Sequence, residues 1–249
     1  MSDVFTVLRQ PKWLGMLVAL PLLMGLCLVA ANWQYARHER RSAQEQQLAA
    51  AERAQPVPLA GVLAPGQDLP ADRQYTTITV TGVYDNGSVL IRNRSLEGTP
   101  GLWVVSPLRS ADGTSILVLR GWIEATRATA EEPVAPAPPT GEVTVTGALQ
   151  PSEPQRGAGL LSNGEATSLS TAALCPEPTC YRAYLQAVTS QPADSIDPVP
   201  VKGPGLGPHL GYAGQWLIFF LLLPVGYVIL LRREVKESRA AESTVSGSP

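Results

Sequence analysis

Charged side chains are scarce in this sequence. Asp, Glu, Lys and Arg together make 16% of its 249 residues, against about 25% in a typical soluble domain. The net charge is −2, so there is no basic field to hold nucleic acid. Histidine is scarcer still, with only His38 and His209 in the whole chain. Catalytic signatures are missing too: G-x-S-x-G, H-E-x-x-H and the P-loop pattern are all absent. Asp and Glu are scattered with no spacing that implies paired acid/base work. The stretch between the two histidines would have to do hydrolytic chemistry without imidazole, which is uncommon. The expectation is a protein that is not an enzyme and has no nucleic-acid partner.

The missing charge is concentrated in two places. No Asp, Glu, Lys or Arg occurs from Trp13 to Ala36, nor from Gly203 to Leu231. Each block holds a run long enough to cross a bilayer, for which a helix needs about 20 apolar residues. The second, Tyr212–Leu231, is followed at once by "RREVK", and Trp216 and Tyr227 lie toward its two ends, where aromatic rings favour the headgroup layer. Pro224 lies inside it, which a membrane helix tolerates when neighbours satisfy the freed carbonyl. The first block reads either as a retained span or as a cleaved signal peptide, because Val29-Ala30-Ala31 resembles a small-residue cleavage site. Its apolar stretch from Leu14 to Ala31 is longer than a signal core of roughly 7–15 residues, and "RHERR" directly after it would slow export, so retention is the expectation. A lipoprotein site at Cys27 is disfavoured by the bulk of Leu26.

Two spans put both termini in one compartment. Arg232, Arg233, Lys236 and Arg239 follow the second span and only Lys202 precedes it closely, which assigns a cytoplasmic C-terminus. The first span disagrees, with Arg9 and Lys12 before it and Arg37, Arg40 and Arg41 after it. The second contrast is cleaner. The expected organisation is a cytoplasmic N-terminus (1–12), a first span (13–36), a helical extension (37–55), an extracytoplasmic β-rich domain (56–205), a second span (209–231) and a cytoplasmic tail (232–249). The localisation that follows is the plasma (inner) membrane, with membrane lipid as a partner.

There are three cysteines. Cys27 lies in the first apolar block and reads as a packing residue. Cys175 and Cys180 bracket "CPEPTC", whose two prolines bend the chain back. In an oxidising compartment this reads as a structural disulfide; the alternative is a copper or redox site. A redox pair more often has C-x-x-C spacing, and copper would want further His or Met nearby.

The middle of the chain changes texture. Arg37–Gln55 is rich in alanine, glutamine and charge, with no glycine or proline until Pro56, and predicts a helix running on from the first span. Short β-branched runs follow, separated by turn residues: "YTTITVTGVYD", "NGSVLIRNR", "GLWVVSPL", "SILVLRGWIE", "EVTVTGAL" and "YRAYLQAV". Asn86-Gly87 predicts a hairpin from Tyr84 to Arg94, and Ser110–Ser115 the turn of the next. "ITVTG" (Ile78–Gly82) and "VTVTG" (Val143–Gly147) echo each other, as two halves of a barrel or, the preferred reading, as two edge strands. Ala128–Glu142 and Ser190–Pro208 are Pro-rich connectors. The predicted fold is a membrane protein with two transmembrane helices flanking a mainly-β domain, a small barrel or sandwich. Arg92, Arg94, Arg120 and Arg127 are either a solvated strand face or a docking surface for carboxylates.

Four segments in order resemble one known family. "NWQYARHER" (Asn32–Arg40) is similar to a Trp-Gln-x-x-Arg motif closing the first span. Val80–Leu108 looks like a Gly-x-Tyr/Phe-Asp … Arg … Gly … Pro-Leu block, Ile116–Ile123 ("ILVLRGWI") like an Arg-Gly-Trp strand, and "HLGYAGQW" (His209–Trp216) like the start of the second span. Together they resemble the Surfeit-locus-1 family of cytochrome c oxidase assembly factors over nearly the whole chain. Asn32, Leu119 and Pro208 depart from the pattern, and Cys175 and Cys180 are not part of it.

The resemblance implies a role in maturing subunit I of haem-copper oxidases, with subunit I and the haem a synthesis machinery as partners and haem a as a transient cofactor. It implies His209 as the axial haem-iron ligand, with His38 as a second candidate. Trp33, Tyr212 and Trp216 would line the pocket, and Arg37 and Arg40 would face the propionates. The alternative function is a non-catalytic accessory subunit bound stably to the oxidase. A third is an exported sensor or adhesion domain.

Overall fold

The structure is a computed structural model, which describes residue 5 and residues 7–85, 87–125, 134–157, 159–161 and 163–245, with side chains to residue 240. Asn86, Arg127 and the start of the 128–142 connector lie outside the described residues. Two compact units result, one from residues 1–45 with 204–249, the other from residues 46–203.

The first unit is a pair of long helices, α1 (Pro11–Arg53) and, after the β region, α3 (His209–Val245). Pro11 opens α1 at the first helical position, where its missing N–H costs nothing; Pro56 lies just beyond its end. Both helices contain a window long and apolar enough to cross a membrane. Their apolar side chains face outward: Leu22 is 69% exposed, Val29 67% and Leu221 63%. The helices are antiparallel, joined at one end by Trp13 packed edge-on against Tyr227, ring centroids 5.6 Å apart, and by an ion pair from Lys12 to Glu234. The predicted segment 13–36 and the predicted extension from residue 37 lie on one helix, α1, which ends at Arg53, two residues short of the predicted 55, and whose last turns belong to the second unit. There Thr77 Oγ1 donates to the Ala51 carbonyl (2.9 Å) and Gln47 Nε2 to that of Ala71 (3.0 Å).

The second unit is one mixed eight-stranded sheet. Its strands are β1 (Val57–Pro58), β2 (Thr77–Tyr84), β3 (Val89–Ile91), β4 (Gly101–Arg109), β5 (Ser115–Glu124), β6 (Glu142–Pro151), β7 (Glu165–Ala166) and β8 (Cys180–Gln191), with a short helix α2 (Thr171–Leu174) before β8. The order is β1-β2-β6-β8-β5-β4-β3-β7, and the end of β2 also pairs with β4 through Val83–Arg109 and Tyr84–Leu108. Strands β2, β6, β8, β5 and β4 therefore form a continuous circuit of pairing. The β5–β8 pair is parallel, and β5 is buried without a break from Ser115 to Gly121. Such a run is the mark of a strand covered on both faces. Its side chains alternate as a strand requires: Ile116 and Val118 enter one cluster with Ile78, Val145 and Leu185, while Leu117 and Leu119 enter another with Ile91, Val105 and Leu169.

Three expectations are corrected. Tyr84 and Arg94 do not flank a hairpin: β2 pairs with β6 and β1, and β3 pairs with β4 and β7. The turn dipeptide carried a local signal, but β2 finds a longer partner in β6. The two echoing segments are not edge strands. They face each other, Ile78 opposite Gly147 and Gly82 opposite Val143, with Thr79–Thr146 and Thr81–Thr144 hydroxyl bonds of 3.0 Å on the outer face and Ile78, Val80, Val143 and Val145 buried inside. The arginines are not a free docking surface. Arg92 pairs with Glu165 (3.1 Å), Arg94 with Glu153 (2.5 Å) while stacking 4.0 Å above the Trp103 ring, and Arg120 is fully buried against Asp194.

The Arg-Gly-Trp strand has a structural explanation. Gly121 leaves room for the Asp197 carbonyl, which a Cβ would approach to 2.3 Å, and Trp122 Nε1 donates to the Arg94 carbonyl (2.7 Å). Cys175 and Cys180 are disulfide-bonded, Cα atoms 6.1 Å apart.

Candidate functional site

The site is built within the first unit, where the segment before α3 returns against α1. Pro208 offers its carbonyl to the Tyr212 N–H (3.1 Å) and so starts α3, placing His209 in its first turn. The imidazole Nδ1 lies 2.9 Å from Gln34 Oε1. With Nδ1–H donating to the amide oxygen, Nε2 keeps its lone pair, the arrangement in which a second partner fixes the ring of a metal-ligating histidine.

Gln34 belongs to a stripe. Gln34, His38, Arg41 and Glu45 recur at helical spacing on one face of α1, and all four are partly buried. Arg41 Nη1 donates to the carbonyls of Pro204 (3.3 Å) and Gly205 (3.2 Å). Glu45 Oε1 accepts the Gly205 N–H (2.6 Å). These bonds strap residues 204–207 to α1. Gly207 has φ +61°, and a Cβ there would sit 3.0 Å from Arg41 Nη1 and 3.3 Å from His209 Cδ2, so glycine alone fits this turn.

His38 is the second imidazole on this face. Its Nδ1 is buried and has no hydrogen-bond partner among the described residues, which is costly unless something else satisfies it. Arg37 stacks over the Trp33 ring, 5.9 Å from its centroid, and Arg40 is exposed. Among the described residues there is no group of three or more His, Cys, Asp or Glu that could cage a bare metal ion.

Trp216, two turns into α3, stands edge-on to Phe219 with centroids 5.8 Å apart. It begins an apolar groove of about 520 Å³ between α1 and α3, which Cys27 and Gly226 also line. Trp33 and Tyr212 are exposed and do not line it. The structure thus gathers His209, His38 and Arg37 near the start of α3 and puts Trp216 in the groove. It adds three residues that the sequence reading did not assign to the site, Gln34, Arg41 and Glu45. The signal that finds them is the period of the stripe from Gln34 to Glu45.

A family model described as the SURF1 family matches residues 22–221. This chain belongs to the SURF1 family. Uncharacterised SURF1-like proteins of Mycobacterium tuberculosis and Mycobacterium bovis are each 30% identical to it over 258 aligned positions, covering 97% of this chain and 90% of theirs. A SURF1-like protein of Dictyostelium discoideum is 52% identical over 44 residues, 18% of this chain and 16% of its own length. The SURF1 match runs from within α1 to within α3. It therefore includes the whole stripe from Gln34 to Glu45, together with His209 and Trp216.

Proposed function

We propose that this SURF1-family protein is a membrane-anchored assembly factor for haem-copper cytochrome c oxidase that holds haem a for insertion into subunit I. The observation that carries the reading is the His209–Gln34 bond of 2.9 Å, because with Nδ1–H donating to the amide oxygen it leaves Nε2 available as a ligand at the start of α3. The donor set fits such a group. His209 would supply one nitrogen ligand to the iron, and His38, with its unpartnered Nδ1, would be the candidate for a second. Arg37 and Arg40, exposed on α1 on either side of His38, would offer cations to carboxylates. When bound, the haem supplies the iron and the pigment; the chain's part is to orient it and shield its apolar face. A transient carrier needs no catalytic group.

The two outward-facing apolar helices and the arginines after Leu231 support two membrane spans, cytoplasmic termini and an extracytoplasmic β domain at the plasma (inner) membrane. Reporter fusions at Pro249 and within residues 190–200 test this orientation; an export-only reporter that is active at Pro249 would reverse it. Purification in mild detergent, followed by an absorption spectrum and pigment extraction, tests the function. The expected result is haem at less than one per chain, with oxidase precursors. A chain stoichiometric with mature oxidase and free of its own pigment would instead mark an accessory subunit.

A further inference from the structure

We propose that the β domain carries an anchoring pocket for a lysine side chain presented by a partner protein. Tyr84 at the end of β2, Thr189 and Ser190 near the end of β8, and Asp197 in the connector after β8 form it. They enclose a cavity of about 290 Å³, which Arg120 and Asp194 also line. That is just below the roughly 300–1,000 Å³ of small-molecule sites, a size for one side chain rather than a cofactor. The cavity lies within the second unit and shares no residue with the haem site or with the groove between α1 and α3.

The polarity of the pocket decides the occupant. Its one cation, Arg120, has nothing left to offer. Nε and Nη2 donate to Asp194, Nη2 also to the Ala137 carbonyl, and Nη1 to the Pro136 carbonyl and the Ser88 and Ser106 hydroxyls. All its N–H donors are committed, so an anion would find no charged donor here. Acceptors are free instead. Tyr84 is only 7% exposed, and its hydroxyl makes no hydrogen bond among the described residues, a deficit that native interiors rarely leave unmet. The Thr189 and Ser190 hydroxyls and the Asp197 carboxylate are also without partners among the described residues. Arg120 neutralises Asp194, whereas Asp197 keeps its charge for a ligand. Val188, Ile196 and Pro198 give the pocket apolar walls, which suit the methylene stem of a lysine. The free acceptors are single groups on separate elements. The rotatable donors of an ammonium can meet them one by one, where the planar fork of arginine wants a paired face. The wider field agrees: residues 46–203 hold 15 Asp and Glu against 10 Lys and Arg, which favours the approach of a cation.

The test titrates the full-length protein in mild detergent with N-acetyl-lysine methylamide, read by saturation-transfer NMR. The norleucine and arginine analogues and phosphoethanolamine are titrated beside it. We expect the lysine compound to bind with a dissociation constant on the order of millimolar, and the other three more weakly. Asp197→Asn should weaken lysine binding about tenfold, and Tyr84→Phe about threefold. Asp197 is exposed, so Asp197→Asn should keep the wild-type thermal midpoint, and its loss of binding is then not a loss of folding. No binding of the lysine compound, or lysine binding unchanged in either variant, overturns the proposal. Equal affinity for lysine and norleucine overturns it too and leaves only an apolar slot. Tighter binding of the arginine analogue overturns the choice of side chain. Equal binding of phosphoethanolamine overturns the choice of a protein and gives the pocket to a lipid headgroup.

Discussion

Arg120 and Asp194 are joined by two hydrogen bonds of 2.8 Å, from Nε to Oδ2 and from Nη2 to Oδ1. The Arg120 side chain has no solvent exposure and that of Asp194 has 11%. Its remaining donors reach the carbonyls of Pro136 (2.8 Å) and Ala137 (3.0 Å). One guanidinium thus ties two proline-rich connectors to the middle of the sheet. Removing either partner leaves the other charge buried and alone, which costs about 3–5 kcal/mol. Arg120→Ala and Asp194→Ala are therefore each expected to lower the thermal midpoint of the purified protein sharply. Arg120→Lys should not restore it, because an ammonium cannot reproduce the planar fork. A midpoint within a degree or two of wild type would contradict this role.

Alkaline pH should destabilise the β domain through two phenols. Burial pushes the Tyr84 hydroxyl well above the ordinary tyrosine value, with Asp194 adding to the shift and Arg120 opposing it. Burial also raises Tyr184, helped by Glu153 and opposed by Arg94. A raised folded-state value means that the unfolded chain loses these protons first. The stabilisation is complete below the ordinary tyrosine value and is lost as pH rises through the folded one. Absorbance at the tyrosinate band should show Tyr84 and Tyr184 ionising only together with loss of the near-ultraviolet dichroism. Complete ionisation of all seven tyrosines near the ordinary value, with the fold intact, would contradict the burial argument.

The Cys175–Cys180 bridge closes a very short loop, so its chain-entropy contribution is about 2 kcal/mol. Unreduced mass spectrometry should find the peptide two hydrogens light. The double variant Cys175→Ser/Cys180→Ser should lose a few degrees of thermal stability and no metal. Free thiols in protein taken from its native compartment, or copper lost with the variant, would revive the metal reading.

The legibility of this fold follows the range of the interactions. β4, β5, β6 and β8 were readable because alternation and β-branching are local, and both long helices because uncharged runs are unmistakable. Pairing was not readable. The partner of "ITVTG" is "VTVTG", and nothing in either segment says that the other lies opposite. Arg94 and Arg120 looked available because Glu153 and Asp194 lie 59 and 74 residues away. At the site, His209 stood out as a lone imidazole at the mouth of a span. Gln34 did not, since its role depends on α3 returning against α1, although its helical spacing to His38, Arg41 and Glu45 was there to be read.

The central claim is that His209 holds haem. The most direct measurement is haem content per protein for wild type, His209→Ala and His38→Ala, purified at matched expression. Replacing His209 leaves the apolar run of α3 intact, so the protein should still accumulate in the membrane. The account predicts a loss of most of the haem in His209→Ala and a smaller loss in His38→Ala. Equal haem content in all three would contradict it and leave His209 as a residue that only secures the start of α3 against Gln34.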